Sequence, residues 1–130
     1  MVFTIRTTIE VLGYPESHIQ EVIKRIVEKI KNEEGIKVEK EVIHEAKKVK
    51  EEFFIMFVEL EMKVHDFNKL LNFCYNYLPS SIEILDVEKV VVPIREFSSA
   101  MNEMLAKLHH YNMVLNNLST KVNSLEKKKE

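Results

Sequence analysis

Over residues 3–11 apolar and polar positions alternate, with Phe3, Ile5, Thr7, Ile9 and Val11 on one parity and Thr4, Arg6, Thr8 and Glu10 on the other. A period of two predicts a strand with one buried face. Gly13-Tyr14-Pro15 interrupts it, and Ile19, Val22, Ile23, Ile26, Val27 and Ile30 then recur at helical spacing. Ser17 and Gln20 have the spacing of a capping box at the start of that helix, and residues 32–35 supply its stop. A second strand opens at Ile36, with Ile36, Val38, Val42 and Ala46 on one parity; Lys40, His44 and Lys48 interrupt it, as on an edge strand. The third strand, residues 53–65, carries Phe54, Met56, Val58, Leu60, Met62 and Val64 on one side. Phe53, Ile55 and Phe57 add an apolar end to its other side, the mark of a central strand or a covered face. Asp66 caps a helix bearing Phe67, Leu70, Leu71, Cys74 and Leu78, which Pro79 closes. After Ser80-Ser81 a fourth strand runs over residues 82–94, with Pro93 near its end, again as on an edge.

The order is β-α-β-β-α-β, so the expected class is α+β: a ferredoxin-like sandwich with an antiparallel four-stranded sheet over residues 1–97, its first and third strands central. After Phe97 the period changes. From a start at Ser98 or Ser99, Met101, Met104, Leu108, Tyr111, Leu115, Leu118, Val122 and Leu125 recur at alternating spacings of three and four, the a and d positions of four consecutive heptads. Leu105 at e and Val114 at g widen the stripe. Residues 98–130 are therefore expected to form a long C-terminal helix with a basic, frayed tail at 127–130. At 1.5 Å per residue, a helix over 98–126 would span about 43 Å, longer than such a domain is wide. An apolar row of that reach is expected to meet a copy of itself, as a homo-oligomer with a dimer first and a tetramer second, or a helix of a protein partner. The competing expectation is a helix that lies along its own domain and frays after Asn117, because Asn116, Asn117, Ser119 and Thr120 are poor in helix interiors.

Composition narrows the function classes. The two glycines, Gly13 and Gly35, cannot supply a glycine-rich nucleotide loop. A net charge of -2 gives no field that would draw the chain to nucleic acid or anionic lipid. No apolar run is long enough to cross a membrane and no leader opens the chain, so a cytoplasmic protein is expected. Lys and Glu dominate the charged set and Gln20 is the one glutamine, a bias that points to a thermophile source, with the frequent Asn pulling against it.

Candidate chemistry is thin. Cys74, flanked by Phe73 and Tyr75, reads as a packed helix position. His109 and His110 fall at b and c positions, and neither they nor His44 and His65 have metal-ligand spacing, so no metal, cofactor or catalytic set is expected. Phe53 and Phe57 share a face with Arg6, as base-stacking aromatics would in an RNA-binding domain. However, Lys50-Glu51-Glu52-Phe53 lacks the glycine and places two acids where phosphate would lie. Phe53, Ile55 and Phe57 are better read as a sheet-face contact covered by the C-terminal helix or a partner.

Asp66-Phe67-Asn68-Lys69-Leu70-Leu71, then Tyr77-Leu78-Pro79-Ser80-Ser81-Ile82-Glu83-Ile84-Leu85, then Met104-Leu105 and His110-Tyr111, together resemble the C-terminal extension domain of WYL-type transcription regulators. The likeness covers about half the chain, without the helix-turn-helix and WYL segments that accompany that domain. It implies an assembly or regulatory ligand-sensing part and carries over no functional residue. The expected function is a non-enzymatic, self-associating scaffold or regulatory module; the alternative is a small-molecule-sensing domain that binds at a subunit interface near Gly13-Tyr14-Pro15.

Overall fold

The computed structural model describes residues 1–129; Glu130, the last of the expected tail, lies outside them. The elements are β1 (Val2–Gly13), α1 (Glu16–Lys31), β2 (Ile36–Ile43), β3 (Lys47–Lys48), β4 (Phe54–His65), α2 (Phe67–Tyr77), β5 (Ser81–Ile84) and α3 (Ile94–Lys129). The chain divides into two compact units, Met1–Val91 and Val92–Glu130.

In the first unit β1 and β4 pair antiparallel along their full twelve residues, from Val2 opposite His65 to Gly13 opposite Phe54. The sheet is antiparallel throughout, in the order β2-β4-β1-β5, with the two-residue β3 joined to the start of β4. The two most cleanly alternating strands are thus central and the charged and short ones lie at the edges. Phe3, Ile5 and Ile9 of β1 and Met56, Val58, Leu60, Met62 and Val64 of β4 form one buried face. Ile19, Ile23, Val27 and Ile30 of α1 and Leu70 and Phe73 of α2 complete the same core. Each such side chain contributes about 1.5–3 kcal/mol by leaving water. Thr7 is fully buried among them because its hydroxyl donates to the Ser81 carbonyl at 2.8 Å, which removes the penalty of an unpaired polar group.

Four local features differ from the sequence expectation. A bulge between Val38 and Lys40 shifts the register of β2, so Ile36 and Val38 pack on the core while Val42, beyond the bulge, pairs with Glu59 on the other face and is exposed. Strand pairing breaks at residues 44–46, which makes β3 a fifth strand. Ser17 does not cap α1: Pro15 is the N-cap, with no side-chain cap, and its carbonyl accepts from His18 N at 3.0 Å; Gln20 Nε2 donates to Glu16. β5 has four residues where the sequence predicts a strand over 82–94. The Asp86 carboxylate takes the Thr4 N–H at 3.2 Å, the donor a longer strand would have used, and that bond holds Asp86 below the usual carboxylate range.

Other expected devices are present. Asp66 caps α2, its carboxylate accepting from Lys69 N at 2.9 Å, and Leu78, in the left-handed region, ends the helix before Pro79. At the far end of α2, Tyr77 stacks on Phe73, with ring centroids 5.3 Å apart, and donates to Glu33 Oε1 at 2.7 Å. Burial and that carboxylate push the Tyr77 hydroxyl well above its ordinary pKa. Gly35 has φ +82° at the turn into β2, with the Lys69 side chain against it donating to the Glu34 carbonyl.

Gly35→Ala is expected to cost about 1–2 kcal/mol, since a Cβ is strained at that φ and would displace Lys69; urea denaturation checks it. Tyr77 has a raised folded pKa, so its contribution to stability is complete below about pH 10 and is lost as pH climbs beyond. The alkaline fall in stability between pH 8 and 11 should be shallower in Tyr77→Phe than in the parent, whereas parallel curves would show that Tyr77 is not linked.

Candidate functional site

α3 begins at Ile94, four residues before the expected Ser98 start, with the Pro93 carbonyl accepting from Phe97 N at 3.0 Å. Proline is tolerated there because the first N–H groups of a helix have no intrahelical partner. The earlier start places the division between units at 91/92 rather than 97/98. It also reveals a fifth heptad: Ile94 and Phe97 occupy the a and d positions before Met101, and spacing alone could have found them had Pro93 not been assigned to a strand. The helix is 36 residues, about 54 Å, and passes through Asn116, Asn117, Ser119 and Thr120 without fraying. Thr120 Oγ1 donates back to the Asn116 carbonyl at 3.0 Å, which satisfies the hydroxyl inside the helix.

The stripe is not evenly covered. Met104 is half-buried and Ala100, at a g position, is buried, whereas Leu108, Tyr111, Leu115, Leu118, Val122 and Leu125 are all exposed, Leu115 at 63% and Leu125 at 61%. Met101 is exposed as well, as are the flanking Leu105 and Val114. Such a row along one helix is an extended exposed apolar patch, with the Tyr111 hydroxyl as the polar group among its a and d positions.

The second surface is the sheet face opposite the helices. Register places Lys40, Glu61, Arg6 and Glu83 side by side across β2, β4, β1 and β5, so charge alternates from edge to edge. Arg6 reaches Glu83 at 3.8 Å, and one row on, His44 Nε2 meets Glu59 Oε1 at 3.0 Å. No sequence spacing exposes this arrangement, because it depends on the pairing of four strands and on the bulge in β2. At the end of the face near β3, Ile55 and Phe57 are half-buried and pair with Leu12 and Glu10, and Phe53, just before β4, is 46% exposed. A depression of about 430 Å³ there is lined by Thr8, His44, Glu45, Lys47, Phe57 and Glu59. Glu10, Glu59, Glu61 and Glu83 lie on this face among Arg6, Lys40 and Lys47, so its charge is mixed rather than basic.

Cys74 sits half-buried on α2 beside the core, and burial raises its thiol pKa, the reverse of what an activated nucleophile needs. Among the described residues no three His, Cys, Asp or Glu side chains gather to hold a metal ion, and no helix is long and apolar enough to cross a membrane.

The chain belongs to the MJ0538 family, whose model matches residues 4–130. No curated protein and no solved structure matches it.

Cys74 of the native chain is expected to react with a thiol-specific reagent several-fold more slowly at pH 8 than in the urea-unfolded chain. Equal rates would mean that the thiol is neither covered nor raised.

Proposed function

We propose that this member of the MJ0538 family is a non-enzymatic self-associating module, scaffold or regulatory, in which α3 is the assembly element and the 1–91 unit is a ferredoxin-like domain. The observation that carries the reading is the exposed a/d row from Leu108 to Leu125, three heptads with an apolar side chain at each position. Removing that row from water calls for another helix, and a second copy supplies one of matching period. Support for the ferredoxin-like plan comes from the strand order β2-β4-β1-β5 and from α1 and α2 sharing one core, with β3 an addition to it. The regulatory half of the proposal draws on the likeness to the WYL-type extension domain.

A second reading, a small-molecule-sensing domain, draws on the 430 Å³ depression beside Phe57, whose size and mixed lining suit a small polar ligand. A metabolite that raises the melting temperature of the parent and not of His44→Ala would favour it.

The self-association reading predicts that the full chain sediments as an oligomer, a dimer first, at micromolar concentration. Replacing Leu115 and Leu118 with Asp should give a monomer whose β1 and β4 amides keep their protection from hydrogen exchange. A parent chain that sediments as a monomer overturns the reading.

A further inference from the structure

We infer that α3 pairs with its copy parallel and in register over its last three heptads, an inference that rests on self-association through α3. The segment is set by exposure: from Leu108 to Leu125 every a and d side chain is exposed without interruption, whereas before it the exposed Met101 at a is followed by the half-buried Met104 at d. Direction is set by the flanking positions. In a parallel coil a g residue meets the e residue five places on in its partner, whereas in an antiparallel coil g meets g and e meets e.

Parallel pairing in register brings Lys121 against Glu126 of the second copy, twice by symmetry, with Lys107 beside Asn112 and Val114 beside Ser119. Antiparallel pairing over the same three heptads sets Leu108 opposite Leu125, and it brings Lys107 against Lys128, again twice. It also sets Leu105 against Glu126 and Val114 against Lys121, so two apolar flanks meet charges. Opposite charges in one direction and like charges in the other are the usual means by which e and g positions choose orientation. One layer adds to this: Val122, β-branched at a, lies between Leu118 and Leu125 at d, the combination that suits two parallel strands, while Leu108 and Leu115 at the other a positions are not β-branched. Both copies of the 1–91 unit are then joined to the same end of the coil.

Two measurements on the full chain test this. Lys121→Glu should weaken association roughly tenfold by replacing two attractive contacts with two repulsive ones, and Lys121→Glu with Glu126→Lys should restore it. In the antiparallel alignment Lys121 faces Val114, so Lys121→Glu leaving association unchanged or tighter overturns the inference. Leu125→Cys in a glutathione redox buffer should form a disulfide-linked dimer that the parent, with Cys74 alone, does not. A disulfide that forms only when Leu108→Cys and Leu125→Cys chains are mixed also overturns it, while leaving self-association standing. A monomeric parent overturns both.

Discussion

The pairing of β1 with β4 is the constraint on which the first unit is built. Twelve residues of each strand run in unbroken antiparallel register, and β2, β3 and β5 all attach to one or other of the two. Because side chains alternate across a strand, that register decides which residues meet α1 and α2 and which meet solvent. A slip of one residue between them would turn one strand over, setting Arg6 of β1 or Glu61 of β4 under the helices. The fully buried Phe3, Ile5, Val58, Leu60, Met62 and Val64 hold that parity, since a slip by an odd number of residues would turn one strand's set out of the core.

What could be read from the sequence was what local period encodes. The alternation of β1 and β4, the stripe of α1, the Asp66 cap and the heptads of α3 each repeat a signal several times, so one discordant residue does not obscure them. The differences arose where one residue changes the count. The bulge at Glu39 reverses the parity of β2, so Val42, grouped with Ile36 and Val38 by sequence, stands on the opposite face. Asp86 ends β5 through a long-range bond to Thr4, a partner 82 residues away that no local pattern reveals. Pro93 is compatible with an edge strand and with a helix start, and the wrong choice hid Ile94 and Phe97. The candidate site divides in the same way: the α3 row follows from period, whereas the charge row Lys40, Glu61, Arg6 and Glu83 exists only once four strands are aligned.

The two surfaces have different chemistry. On the sheet face opposite the helices Lys40, Glu61, Arg6 and Glu83 alternate in sign across one row and His44 meets Glu59 in the next, so part of its charge is paired in place. α3 has the reverse balance. Its distal a and d positions are wholly apolar, and the polar groups around them lie at flanks where they can direct a partner without supplying the driving force.

The weak helix formers in the middle of α3 have a further consequence. Asn116, Asn117, Ser119 and Thr120 each disfavour helix by roughly 0.5 kcal/mol relative to Ala, so the middle of α3 is its weakest stretch by intrinsic propensity. On the proposed self-association, a partner that covers Leu115, Leu118, Val122 and Leu125 would add to the stability of the segment beyond Tyr111, by mass action in proportion to how much of it is present. On that proposal, helix content in this part of the chain would follow protein concentration, rising as copies become available to pair.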